Sequence, residues 1–215
     1  MKQTIVIAAA FCLAPLSASA VWWAGFEWQI ASKQQPPKAI IVGSQIQFIY
    51  DAVPGSQNWY WACTGPTTIT DIDFSAAVAK LSGTAAFSHG IAWGIELGNS
   101  DEPNWPNSFR FQIGNASYCV IKRAKGRETF TLPWTSSSAI KRGLNQWNVL
   151  RVRRVGPTHT LWINGVQVNQ FTDPDLPYGQ FGFKSNDEGQ CVHAFQSMSV
   201  SYHALAAARH WREYR

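Results

Sequence analysis

Charge is scarce in this chain: Asp, Glu, Lys and Arg make up 14% of its 215 residues, against 46% hydrophobic. Such a balance belongs to a folded domain and excludes a solvated, disordered polymer. No Cys-x-x-Cys pair occurs, which removes the usual zinc spacings. No Gly-x-Ser-x-Gly turn occurs either. His89, His159, His193, His203 and His210 are scattered, so a Ser-His-acid nucleophile has no support. Convincing helical periodicity is missing before the last residues. Beyond residue 16 no apolar run is long enough to cross a bilayer, and no membrane span is expected. The 18 basic and 13 acidic residues leave a modest net charge of +5. The basic residues are not interleaved with aromatics on one face, so no nucleic-acid partner is expected.

The N-terminus is read as a secretory signal. Lys2 supplies the positive start, residues 4–16 an apolar stretch too short to span, and Ser17-Ala18-Ser19-Ala20 a small-x-small cleavage site. The expected division is a signal peptide over 1–20, one domain over 21–203 and a basic tail over 204–215. The product is expected to be periplasmic or secreted by a bacterium. Cys63, Cys119 and Cys191 remain after cleavage, and an oxidising compartment predicts one disulfide among them, with all three pairings open. The tail, with Arg209, Arg212 and Arg215, is expected as a short helix or a mobile segment.

What the chain does have is strands. Short stretches rich in aromatic and β-branched residues, separated by turn residues, run from 39–50 to 192–202. Around Gly156-Pro157, a symmetric turn places Leu150 opposite Ile163, Val152 opposite Leu161, Arg151 opposite Trp162 and Arg153 opposite Thr160. One face is apolar and the other polar, as in a half-buried antiparallel sheet. Asn164-Gly165 then provides a second tight turn. A turn at Asn115-Ala116 likewise pairs Phe111 with Val120 and Ile113 with Tyr118, leaving Arg110, Gln112, Cys119 and Ile121 on the other face. In residues 88–97, Ile91, Trp93, Ile95 and Leu97 are expected on one face. Ala92, Gly94 and Glu96 are expected on the other, which leaves room for a ligand.

Taken together, Trp147-Asn148-Val149-Leu150-Arg151-Val152, Trp162-Ile163-Asn164-Gly165, Gly179-Gln180-Phe181-Gly182-Phe183 and the closing strand at 192–200 resemble the concanavalin A-like lectin/glucanase superfamily. More closely, they resemble its laminin-G-like and 3-keto-disaccharide hydrolase-like secreted modules. The resemblance covers residues 59–202. It implies an all-β fold, a two-sheet antiparallel jelly-roll β-sandwich, with one concave sheet whose rim loops form a groove for sugar chains.

Glycoside cleavage needs two carboxylates flanking one bond. The Glu-x-Asp-x-x-Glu strand of sugar-cleaving relatives is absent here. Asp71 and Asp73 read as solvated outer-face residues, and Asp101-Glu102 as part of a polar turn. The positive signal is aromatic, with eleven tryptophans. The ligand-binding candidates are Glu96, Asn104, Trp105, Arg110 and Trp134, because aromatic faces stack on sugar rings while amides and charges bind hydroxyls. No catalytic residue and no cofactor is assigned. A calcium ion held near Asp101-Glu102 or Asp187-Glu188 is the alternative. The leading expectation is a non-catalytic module that binds carbohydrate or a glycan surface. The alternatives are a glycoside-processing hydrolase using Glu96 or Asp101, and a structural or adhesion subunit with residues 22–35 and the tail as interaction arms.

Overall fold

The structure is a computed structural model that describes residues 19–32, 38–51, 57–83, 88–96 and 107–205. Its strands are β1 (Ser19–Trp23), β2 (Phe26–Ser32), β3 (Ala39–Val42), β4 (Gln45–Asp51), β5 (Gln57–Thr64), β6 (Ile69–Ser82), β7 (His89–Glu96), β8 (Asn107–Ile113), β9 (Ser117–Ala124), β10 (Arg127–Ser136), β11 (Asn148–Val155), β12 (Thr158–Ile163), β13 (Val166–Thr172), β14 (Gln180–Glu188) and β15 (Gln190–Ala204). They form two antiparallel sheets. Sheet A runs β1-β2-β5-β14-β7-β8-β9-β10, and sheet B runs β13-β12-β11-β6-β15-β4-β3. This is the expected jelly-roll sandwich. No described residue is helical, and the expected tail beyond Leu205 lies outside the described residues, as does most of the expected signal peptide.

Alternation drives the layering. In β11, Leu150 and Val152 point inward while Val149, Arg151 and Val155 point to solvent. The pairing with β12 has the register read from the sequence, including Leu150 with Ile163 and Arg151 with Trp162. Asn164 and Gly165 both take positive φ, 51° and 83°, as the Asn-Gly turn requires. Between the sheets lies an aromatic core. Phe183 stacks on Trp28 at 4.9 Å and on Phe195 at 4.4 Å, linking β14 to β2 in its own sheet and to β15 in the opposite one. Strands β1 and β2 were not foreseen. They carry Trp23 and Trp28 into that core, and Trp28 is fully buried.

One expected face assignment is corrected. Gly94 adopts φ +60°, and the β7–β8 register shifts between Trp93 and Glu96. That bulge rotates the rest of β7. Ile95 joins Ala92 on the outer face, and Glu96 falls opposite Asn107, on the side that Phe109 shares.

The expected disulfide is also corrected. Cys63, Cys119 and Cys191 are all free and buried. Cys63 on β5 and Cys119 on β9 stand four strand spacings apart in sheet A, ~19 Å by strand geometry, where a bridge needs Cα atoms within about 7 Å. Cys191 lies in the other sheet, inside the core.

Candidate functional site

The two outward faces of the sandwich differ sharply. Sheet B exposes its outer residues: Arg151 pairs with Asp73 at 2.7 Å and lies over the Trp162 ring at 4.7 Å. Asp71 accepts the Gly156 amide at 2.8 Å. Sheet A withdraws the outer residues of its central strands from water. Every residue of β8 is buried on both faces, and a second apolar cluster of Trp59, Trp61, Cys63, Ala92 and Ile95 sits outside the main core.

Pairing registers place this outer face row by row. One row reads Ala31, Trp61, Lys184, Gly90, Gln112, Cys119 from β2 to β9. The next reads Gln29, Cys63, Gly182, Ala92, Arg110, Ile121, Phe130 from β2 to β10. Gly90, Gly182 and Ala92 make a low floor. Over it Trp61 and Arg110 approach from opposite sides, the guanidinium carbon 5.7 Å from the ring centroid. The room expected between small residues is thus partly filled by long side chains from neighbouring strands.

Arg110 is 1% exposed and ion-paired with Glu128 on the edge strand β10. Lys184 is fully buried, lies 5.4 Å and 5.1 Å from the Trp59 and Trp61 rings, and donates to Asn186 Oδ1 at 2.5 Å. Burial, and then the nearby Arg110 charge, push its ammonium well below the ordinary lysine range. The two indole faces attract a cation and pull the other way. Burial lifts the Cys119 thiol to about 12, so it stays neutral. Among the buried polar atoms of this face without a hydrogen-bond partner are the Trp61 Nε1–H, both amide atoms of Gln112 and Gln180 Oε1.

At the rim, β10 presents Phe130 and Trp134, 55% and 45% exposed. The strand continues through Pro133, which an edge strand tolerates. The Trp134 ring lies by Gly114 in the β8–β9 turn, 3.6 Å from where a Cβ would stand.

Of the five binding candidates, Arg110 lies on this face and Trp134 at its edge. Glu96 is turned away from it and accepts a 3.3 Å hydrogen bond from Asn107. Asn104 and Trp105 lie outside the described residues, as do Asp101 and Glu102. Trp59, Trp61, Lys184, Glu128 and Phe130 were missed. Their signal was available: Trp59-x-Trp61-x-Cys63 alternates with Tyr60 and Ala62, and Lys184 follows Phe183 in the same two-residue period.

A second polar cluster lies inside one end of the sandwich. Asp187 accepts from His193 Nε2 at 2.8 Å and pairs with Lys80, both buried. His89 packs against His193 with ring centroids 4.9 Å apart, and Tyr50 shares a 2.6 Å hydrogen bond with Ser185. Asp187, Cys191 and His193 bring three metal-ligating atoms within 4.8 Å of one another. However, Lys80 already supplies the cation, and burial together with Asp187 pushes the Cys191 thiol up, away from the thiolate a metal needs. Asp187 belongs to β14 and is locked in this core network, which corrects its reading as a calcium-loop residue.

Residues 26–200 match one domain family across most of the sandwich. The chain belongs to the 3-keto-alpha-glucoside-1,2-lyase-like domain family. No curated protein matches it. Among solved structures, this family member is similar to the carbohydrate-binding module CBM66 from Bacillus subtilis, with 12% identity over 80% of this chain and 94% of that one, TM-score 0.59. It is also similar to a native glycosidic hydrolase, with 8% identity over 83% and 90% and a TM-score of 0.58. The Ca2+/Man3GlcNAc-bound exoplasmic domain of VIP36 shows 13% identity over 84% and 86%, TM-score 0.55. These likenesses establish the shared sandwich, a fold that hosts many unrelated functions.

Proposed function

We propose that this is an exported carbohydrate-binding domain that meets its sugar on the outer face of sheet A, entered past Phe130 and Trp134. The observation that carries the reading is the buried outer face itself, with indoles, an amide and cations within it and two exposed aromatics at its edge. Rings of that kind stack on the apolar faces of sugars, and a partly dry interior strengthens each hydrogen bond made there. Family membership and the carbohydrate-binding neighbours support the same reading.

Binding without hydrolysis is favoured by the position of the acids. Among the described side chains of this face, Glu27 on β2 and Glu128 on β10 stand six strand spacings apart, ~29 Å by strand geometry. Paired glycosidase carboxyls stand about 5–9.5 Å apart. A glycan array followed by calorimetric titration tests the reading. Wild type should bind at least one neutral oligosaccharide, and Trp134→Ala and Phe130→Ala should weaken that binding without loss of fold. No retention on any glycan overturns it.

A second reading follows from Lys184. In a 3-keto-α-glucoside the ketone acidifies the C2 proton. A base takes that proton, the electrons form the C1–C2 double bond, and the aglycone oxygen leaves with its pair and is protonated. An amine held below the ordinary lysine range is such a base. Aglycone release from a 3-keto-α-glucoside that disappears in Lys184→Met supports this second reading, and no release by wild type rejects it.

A further inference from the structure

Gln112 is fully buried, yet neither its Oε1 nor its Nε2 has a hydrogen-bond partner. Its row neighbours offer none. Gly90 has no side chain, and the Cys119 thiol, neutral with its pKa at about 12, is a weak donor and acceptor. A buried, unsatisfied carboxamide is costly, and a methionine would fill the same space without that penalty. Farther along the same row, the Trp61 Nε1–H is also buried and without a partner. Orphans from separate strands on one buried face point to an absent binding partner.

We infer that Gln112 is a specificity-determining residue whose carboxamide bridges two adjacent hydroxyls of a neutral sugar. The inference rests on the carbohydrate reading of this face. One hydroxyl donates to Oε1 while its neighbour accepts from Nε2, so a vicinal diol satisfies both atoms at once. An anionic group alone cannot do this, because Oε1 needs a donor and a carboxylate or sulfate has none. The Trp61 indole N–H takes a further acceptor, a third hydroxyl or a ring oxygen. The class implied is therefore a hexose or pentose unit with an unsubstituted vicinal diol. A sugar substituted at those hydroxyls is excluded.

The test uses the full chain with maltotriose, cellotriose and xylotriose, read by titration calorimetry, and thermal unfolding of the same samples. Gln112→Met should raise the unfolding midpoint, because it removes two unsatisfied buried atoms. It should also weaken binding of the retained trisaccharide roughly 10- to 100-fold, the worth of two hydrogen bonds. The per-O-methylated form of that trisaccharide should bind wild type equally poorly, a readout that needs no variant to fold. Wild-type binding that survives in Gln112→Met, or that survives per-O-methylation, overturns the role of Gln112 and leaves the carbohydrate reading standing. A lowered midpoint in Gln112→Met makes the carboxamide structural and also overturns it. Failure of wild type to bind any of the three trisaccharides overturns this inference, while retention of another glycan on the array keeps the broader reading.

Discussion

His193 on β15 donates through Nε2 to the carboxylate of Asp187 on β14, 2.8 Å away, and both side chains are wholly enclosed. With Lys80 on β6 and His89 on β7 they tie the two sheets together at one end.

That network makes the fold acid-sensitive. Burial holds His89 well below 6.5, holds His193 below it, and holds His159 at about 4. Burial alone would raise Asp187, but hydrogen bonds from His193, Lys80 and Cys191 override it and set the carboxyl at about 2. Each folded-state value lies below its unfolded one, so the unfolded chain binds protons first as pH falls. The histidine contributions are complete above pH 6.5 and fade toward pH 4, with His159 alone accounting for on the order of 3 kcal/mol. The Asp187 contribution is present above about 3.8 and fades toward 2. Thermal unfolding should show a level midpoint from pH 8 to 7 and a steady fall below 6.5. A midpoint that stays level down to pH 4.5 contradicts this.

Phe183 touches Trp28, Trp23, Phe74 and Phe195, so it joins both layers of the core. Phe183→Ala should cost about 3–5 kcal/mol. Urea unfolding should register that loss as a lower midpoint with an unchanged slope.

Gly182 lies where β14 passes β5 so closely that a Cβ would run into the Ala62 carbonyl oxygen. The obstacle is backbone and cannot swing aside. Gly182→Ala should therefore destabilise the protein more than alanine at the exposed turn glycine Gly43, around which there is open space within 4 Å. Comparing the two unfolding midpoints checks this.

Phe130 and Trp134 are exposed, so little of the fold depends on their rings. Trp134→Ala and Phe130→Ala should each shift stability by less than about 1 kcal/mol. Each should weaken oligosaccharide binding roughly tenfold, an aromatic contact of about 1.4 kcal/mol. Equal binding by wild type and the double variant would remove these two residues from the site.

Local patterns carried the fold well. The β11–β12 and β8–β9 registers follow from alternation and turn chemistry alone, because a one-residue slip would put every apolar residue on the wrong face. The same logic placed Arg110 and Gln112 on one face with Cys119 and Ile121. It failed at Gly94, where a positive-φ residue interrupts the period of two and sends Glu96 to the other side. A glycine inside a strand is itself a bulge signal, so that error was avoidable. Trp61 and Lys184 were harder to see. They come from strands far apart in sequence from β8 and meet Arg110 only through the order β5-β14-β7-β8. Trp23 and Trp28 precede the first strand read from the sequence, although alternation in Phe26–Ser32 already marks an inward Trp28 and Ile30.

Sugar binding at the outer face of sheet A is what every functional prediction above requires. A 15N-resolved NMR titration with the best-retained neutral oligosaccharide observes it directly, through the Trp61 indole N–H and the Gln112 side-chain amide. Both resonances should move together and saturate at the same ligand concentration, while the Trp162 indole on the outer face of sheet B stays still. Shifts confined to Trp162 and its neighbours, with Trp61 and Gln112 unmoved at saturation, would contradict it.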